Sequence, residues 1–132
     1  MTATSLPGAA SPPGAAPPAS APFGRALCAM ITPFTASGVL DLDGAQLLAD
    51  RLVADGCEGL VLSGTTGESP TTSDAEKAAL VRAVQEAVGG RATVVAGVGS
   101  NDTAHTAELA LQAEKAGAGR GVGVHPSDRQ PP

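Results

Sequence analysis

The chain alternates between continuous apolar runs and segments whose apolar residues recur at helical spacing. A continuous apolar run is typical of a strand buried on both faces, and a 3.6-residue repeat is typical of an amphipathic helix. The predicted strands are residues 25–34, 59–63 and 92–98. A predicted helix follows each strand, so the order strand then helix occurs three times.

Capping residues mark the ends of the predicted helices. Asp43 is the expected N-cap of the first helix, and Gly56 is expected to end it. Ser73 and Glu76 form the S-x-x-E pattern of a capping box at the start of the second helix. Asn101 is expected to cap the third helix, which ends at a glycine.

Short connections between apolar strands and helices predict parallel strands joined by helical crossovers. Two architectures fit this α/β pattern: an open doubly wound sheet, or part of a (β/α)8 barrel. In both, functional groups gather at the carboxyl ends of the strands. The segments TPF (32–34), GTTGE (64–68) and GVGSN (97–101) lie at such ends.

The stretch GTTGESPT, residues 64–71, is the strongest candidate for chemistry. Gly64 and Gly67 permit a sharp turn with open backbone N–H groups, and Thr65 and Thr66 place two hydroxyls between them. Such a loop suits a small carboxylate, such as a 2-oxo acid; a turn that merely caps the next helix is the alternative. No phosphate-binding GxxxxGK[ST] motif is present, and GVG at 97–99 lacks the third glycine of a dinucleotide motif.

Composition and charge exclude several classes of function. The 132 residues carry a formal net charge of −5 without a basic stripe, which argues against nucleic-acid binding. No apolar run is long enough to cross a bilayer, and no signal-peptide pattern begins the chain, so we expect a cytoplasmic protein without membrane contact.

The remaining segments and side chains are interpreted structurally. Residues 1–24, rich in Ala and Pro, are expected to be a disordered tail, with a partner-binding linker as the alternative. Cys28 and Cys57 do not form a CxxC pair and are expected to be buried reduced thiols rather than a disulfide. His105 and His125 have no neighbouring ligands at metal-binding spacing, so no metal site is predicted.

The stretches GLVLSGTTGESPTTSDAEK and VVAGVGSNDT, together with AMITPF, closely resemble the dihydrodipicolinate synthase family over about residues 26–118. The resemblance implies a (β/α)8 barrel, usually homotetrameric, and a lyase that needs no cofactor. Such an enzyme condenses pyruvate with aspartate semialdehyde, through a lysine Schiff base, in lysine and diaminopimelate biosynthesis. N-acetylneuraminate lyase and keto-deoxy-sugar aldolases belong to the same superfamily, but Thr65 favours the synthase branch.

The resemblance also assigns roles to individual residues. Thr66 resembles the threonine that holds the pyruvate carboxylate, and Thr65 resembles a threonine of the proton relay. Gly64, Gly67 and Glu68 match positions that shape the loop.

A second region that corresponds to part of the family concerns regulation. Asp74, Lys77 and His105 correspond to a region where some family members bind inhibitory lysine. Their residue types differ from those of lysine-regulated members, so we interpret them as exposed helix positions.

The chain departs from the family pattern after residue 118. It has no tyrosine for the relay, and its only lysines, Lys77 and Lys115, are predicted on solvent-facing helix positions. A full barrel needs about 250 residues. Residues 25–118 would therefore be the first three βα units, and the chain alone is expected to be inactive.

Residues 119–132 are interpreted as a divergent tail. A frameshift in a GC-rich gene is one hypothesis for it, and a short repurposed protein is the rival. We also expect the third strand to be an unpaired edge and the chain to self-associate or aggregate. The alternative function is a non-catalytic fragment or interaction module that associates with a full-length barrel.

Overall fold

Residues 24–122 are described by the computed structural model; they form three βα units followed by a fourth strand. The strands are β1 (Leu27–Ala29), β2 (Gly59–Leu62), β3 (Thr93–Gly97) and β4 (Arg120–Val122). The helices are α1 (Leu42–Ala54), α2 (Asp74–Val88) and α3 (Thr103–Ala116), and a 3₁₀ helix, Ser69–Thr71, precedes α2. The predicted tail at 1–24, apart from Gly24, and most of the segment 119–132 lie outside the described residues.

The four strands are parallel and lie side by side in chain order, β1-β2-β3-β4. Strands that follow one another in sequence are neighbours in a (β/α)8 barrel, whereas a doubly wound sheet reverses its order at a switch point. The observed order therefore selects the barrel from the two predicted architectures, and the fold is a partial barrel.

Strand β4 corrects one expectation about β3. The prediction that the third strand is an unpaired edge is wrong, because β4 pairs with Val95, Ala96 and Gly97 in parallel register. The sequence of β4, Arg-Gly-Val, contains no continuous apolar run. Backbone pairing to β3, rather than side-chain pattern, defines this strand.

The helices pack against one face of the sheet. Leu60 and Leu62 of β2 lie in register with Val94 and Ala96 of β3, and all four are at most 2% exposed. They form one core with buried residues of all three helices: Ala45, Ala49, Leu80, Val81, Val84, Val88, Leu109, Ala113 and Ala116. Removal of this apolar surface from water is the main stabilising contribution to the fold.

The opposite face of β1 is open to solvent. Met30 points to the core and is 1% exposed, whereas Leu27 and Ile31 are 44% and 57% exposed. The alternation follows from the two-residue period of extended backbone. In a closed barrel this second face is the interior.

The N-cap of helix α1 lies two residues earlier than predicted. Asp41, not Asp43, is the N-cap, and its carboxylate accepts a hydrogen bond of 2.9 Å from the Gly44 N–H. The Asp41 N–H donates to the Pro33 carbonyl at 3.0 Å, which fixes where the chain enters the helix. Asp43 instead lies in the first helical turn.

Candidate functional site

The chain turns sharply where β2 ends. Ser63 adopts φ = 55°, a conformation that non-glycine residues rarely take, and it is 2% exposed. The Ser63–Gly64 peptide lies directly on Gly97 of β3, where a Cβ atom would collide with the Ser63 carbonyl oxygen. The glycine at position 97 is therefore required by the close approach of this turn, not by a nucleotide.

The far end of the loop is held against the segment after β1. The buried Thr32 hydroxyl donates a hydrogen bond of 2.7 Å to the Gly67 carbonyl. A Cβ atom on Gly67 would lie 3.0 Å from the Met30 carbonyl and 3.1 Å from the Ser63 nitrogen. Only glycine fits here without displacing its neighbours.

Backbone hydrogen bonds close the loop on itself. The Glu68 N–H donates to the Thr65 carbonyl at 3.1 Å, and the Ser69 N–H donates to the Gly64 carbonyl at 3.2 Å. Glu68 adopts φ = 57°, which turns the chain into the 3₁₀ helix, and its side chain is exposed. The loop is thus shaped by the backbone at 64, 67 and 68.

The two threonines project from this closed loop. Thr65 and Thr66 are both exposed at the carboxyl end of β2. Among residues 24–122 neither hydroxyl has a hydrogen-bond partner, and neither backbone N–H is paired. Four donor groups at one strand end are therefore free to bind an anionic ligand such as a carboxylate.

A cleft of about 630 Å³ opens beside the loop, between the chain segments that follow β2 and β3. Gly64 and Thr65 line it together with Asn101, whereas Thr66, Gly67 and Glu68 do not. The other lining residues are Ser63, Ser69, Pro70, Thr72, Asp74, Lys77, Gly97, Gly99, Ser100, His105 and Leu109. The structure thus separates Thr65, on the cleft, from Thr66, outside it.

Three ionisable side chains line this cleft. The Asp74 carboxylate lies 2.8 Å from the His105 Nε2, and the Lys77 ammonium donates to the Thr72 carbonyl at 2.7 Å. Lys77 is partly buried, so the prediction of a solvent-facing Lys77 is wrong. The Asp74 and His105 side chains are 37% and 38% exposed, so for these two the prediction of exposed helix positions is not contradicted. Asp74 and His105 are 31 residues apart, a separation that no local sequence pattern reveals.

Two capping residues flank the cleft. Asp102, not Asn101, is the N-cap of α3, because its carboxylate accepts from the Ala104 N–H at 3.0 Å. The predicted capping box of α2 is confirmed: Ser73 and Glu76 exchange hydrogen bonds of 2.9 and 3.1 Å. The bonds from Ser73 to the Glu76 carboxylate hold the pKa of Glu76 below its ordinary value of 4.5.

The remaining candidate side chains lie elsewhere. Lys115 is exposed in the last turn of α3, away from the cleft. Cys28 and Cys57 are free thiols, half-buried against the core, and burial together with the neighbouring Cys57 raises the pKa of Cys28. Within residues 24–122 no three acidic, His or Cys side chains cluster as metal ligands, and no helix is long and apolar enough to cross a membrane.

The sequence also matches an established family model. Residues 22–127 match the model described as the dihydrodipicolinate synthetase family. The chain belongs to this family. The match confirms the predicted resemblance, and it extends into the segment 119–132.

A 4-hydroxy-tetrahydrodipicolinate synthase of Streptomyces coelicolor, synthase 1, is 75% identical over 113 residues. That alignment covers 86% of this chain and 37% of the relative. The chain therefore spans little more than a third of the length of this curated relative.

Solved structures confirm the partial barrel. A dihydrodipicolinate synthase of Bacillus anthracis superimposes with a TM-score of 0.73 at 37% identity, covering 78% of this chain and 36% of that one. A chloride-inhibited dihydrodipicolinate synthase of Acinetobacter baumannii, complexed with pyruvate, superimposes with a TM-score of 0.74 at 29% identity. That superposition covers 76% of this chain and 35% of the other.

Proposed function

We propose that this chain forms the pyruvate-carboxylate half of a 4-hydroxy-tetrahydrodipicolinate synthase site. One observation carries the proposal: the loop after β2 is closed by its own backbone hydrogen bonds and by Thr32. Within residues 24–122 it nevertheless leaves the hydroxyl and N–H groups of Thr65 and Thr66 unpaired, at the carboxyl edge of a barrel-ordered sheet. The identity to the Streptomyces coelicolor enzyme and the pyruvate in the Acinetobacter baumannii structure support it.

Thr66 would bind the carboxylate of pyruvate. Its hydroxyl and N–H can each donate to a carboxylate oxygen, and charge-assisted hydrogen bonds of this kind are stronger than neutral ones. Holding the carboxylate would fix the position of the neighbouring keto carbon, where the reaction takes place. Gly64, Gly67 and Glu68 would hold the loop in the shape that presents Thr66.

Thr65 would pass protons during the reaction. A hydroxyl both donates and accepts, so it can relay a proton between two groups within hydrogen-bond distance. The 132 residues contain no tyrosine to continue such a relay. The remaining relay groups would have to come from another polypeptide segment.

The Schiff-base lysine would also come from elsewhere. A nucleophilic lysine must reach the keto carbon as a neutral amine. Lys77 lines the cleft, which Thr66 does not, and its ammonium donates to the Thr72 carbonyl; Lys115 is exposed on α3. The 132-residue polypeptide alone would therefore bind pyruvate weakly and would not turn over the lyase reaction.

The same features support the alternative of an interaction module. The exposed apolar face at Leu27 and Ile31 corresponds to a barrel interior, and complementary strands would cover it. In their absence this cytoplasmic chain would self-associate through that face. In the non-catalytic alternative, the same face would bind a full-length barrel of the family.

A pyruvate titration followed by saturation-transfer NMR tests the carboxylate role. We expect weak binding by the wild-type chain and at least a fivefold loss of affinity for Thr66→Val, since two of its donors are reduced to one. Thr103→Val is the matched control, because Thr103 is an exposed threonine at the start of α3. Equal affinities for all three proteins would refute the assignment.

Borohydride trapping with pyruvate, measured by intact mass, tests the absence of a nucleophile. The full-length Streptomyces coelicolor relative serves as the positive control and is expected to acquire a pyruvate adduct. No adduct is expected on this chain. An adduct that Lys77→Met abolishes would show that Lys77 has been recruited, and the chain would then carry its own nucleophile.

A further inference from the structure

Thr32 joins the first βα unit to the candidate site in the second. It follows β1, and its hydroxyl donates to the Gly67 carbonyl 35 residues later. Thr32 is 4% exposed, although it is a polar residue. A buried hydroxyl with one well-formed hydrogen bond is expensive to remove, because its partner is left unsatisfied.

The loop contains two residues in an unfavourable backbone conformation. Ser63 and Glu68, one at each end, both adopt positive φ. Such residues persist only where surrounding contacts hold them. The Ser63 end is supported by its packing on Gly97, and the Glu68 end is supported by the contact of Thr32 with Gly67.

The Gly67 carbonyl depends on Thr32 for its hydrogen bond. The Gly64 and Thr65 carbonyls accept from backbone N–H groups within the loop. Within residues 24–122, the Gly67 carbonyl accepts from the Thr32 hydroxyl and from no backbone group. Thr32 therefore satisfies the part of the loop that its own backbone does not.

The contact is also closely packed. A Cβ on Gly67 would lie 3.2 Å from the Thr32 Oγ1, with the Met30 carbonyl nearer still at 3.0 Å. Backbone and side chain thus enclose Gly67 next to Thr66. A shift of Gly67 would move the adjoining Thr66 N–H and hydroxyl.

We propose that Thr32 is a positioning residue that fixes Thr66 through its hydrogen bond to Gly67. This inference rests on the proposed function of Thr66, although its effect on the loop can be measured without any ligand. Thr32 would not touch the substrate. It acts through the loop backbone alone.

Hydrogen–deuterium exchange of the full chain measures the loop directly. Thr32→Val replaces the hydroxyl with a methyl of similar size, and we expect the amides of Glu68 and Ser69 to exchange about tenfold faster, as for one lost hydrogen bond. Amides of the core strand β3 should keep their rates. Thr32→Ser should restore the wild-type loop, because it keeps the donor.

Thr35→Val is the matched control. Thr35 lies in the same connection after β1 but bonds only to its own turn, at the Val39 N–H and Ser37. We expect it to leave the loop amides unchanged. If Thr32→Val does not fold, Thr32→Ala makes the same comparison without a methyl against the Gly67 carbonyl.

A pyruvate titration of the same variants separates positioning from simple stability. We expect Thr32→Val to lower the affinity for pyruvate about tenfold, and Thr32→Ser to bind pyruvate with the affinity of the wild type. Unchanged loop exchange in Thr32→Val, or faster exchange with unchanged pyruvate affinity, would overturn the inference. If wild type binds no pyruvate, the proposed function fails, and the exchange rates still decide whether Thr32 fixes the loop.

Discussion

At the scale of single residues, the sequence predicts where the candidate site lies but not what holds it. The motif GTTGE follows an apolar run, which places two threonines at a strand end, as the structure shows. The contacts that shape the loop come from Thr32 and Gly97, each more than 29 residues from Gly67. No local pattern encodes such contacts, so GVG at 97–99 could be compared only with nucleotide motifs.

The close approach at Gly97 gives a stability prediction. Gly97→Ala places a Cβ against the Ser63 carbonyl, so the backbone must shift, at a cost of about 1–3 kcal/mol. Gly64→Ala is the control, because its Cβ would meet only the Val61 side chain, at 3.8 Å. Urea unfolding followed by circular dichroism gives the free energy of unfolding of both variants. Equal values would contradict the close approach of Ser63 to Gly97.

At the scale of elements, predicted helices are confirmed where local chemistry determines their ends. The Ser73 capping box and the glycines after each helix are purely local signals, and the structure bears them out. Asp41 and Asp43 are both capping residue types, so local pattern alone does not distinguish them, and the bond of the Asp41 N–H to the Pro33 carbonyl, which fixes the entry to the helix, lies outside that pattern. Lys77 was misplaced because its helix face packs near a cleft that only the third βα unit completes.

The corrected start of α1 is testable by a pair of substitutions. Asp41→Ala removes the side chain that accepts from Gly44 and should cost about 1 kcal/mol in the free energy of unfolding. Asp43→Ala loses only a favourable charge near the helix start, worth about 0.3–1 kcal/mol. Chemical denaturation of the two variants compares these losses of stability. A larger loss for Asp43→Ala would indicate that Asp43, and not Asp41, is the N-cap.

The capping box predicts a pH dependence. The pKa of Glu76 is lowered in the folded chain, so its contribution is present above about pH 4.5 and is lost as the pH falls through the lower folded pKa. Glu76→Gln keeps a capping side chain but cannot titrate. We therefore expect the wild type to be more stable than this variant at neutral pH, with the difference shrinking below pH 4.5. A difference that stays constant on acidification, measured by denaturation at several pH values, would contradict the assignment.

At the scale of the whole molecule, the pattern of strands and helices predicts the class, and backbone pairing decides the architecture. The sequence does not distinguish a doubly wound sheet from a barrel, because both produce the same alternation of strands and helices. The order β1-β2-β3-β4 distinguishes them. The fourth strand was missed because its three residues carry no apolar run.

The uncovered face of β1 predicts how the chain behaves in solution. Leu27→Gln combined with Ile31→Gln should reduce self-association, because both side chains lie on the face that none of the described helices, α1 to α3, covers. Leu47→Gln is the control, since Leu47 is 74% exposed but lies on α1. Light scattering after size-exclusion chromatography measures the mass, and an unchanged oligomer in the double variant would exclude this face as the contact.

The central claim, that this chain carries the carboxylate half of a family active site, is tested most directly by a chimera. Residues 26–122 would replace the aligned segment of the Streptomyces coelicolor synthase, whose remaining length would supply the other strands. We expect an active lyase in which Thr66→Val raises the KM for pyruvate at least fivefold while Thr103→Val leaves it unchanged. A folded chimera without activity, or one whose KM for pyruvate is unchanged by Thr66→Val, would contradict this claim.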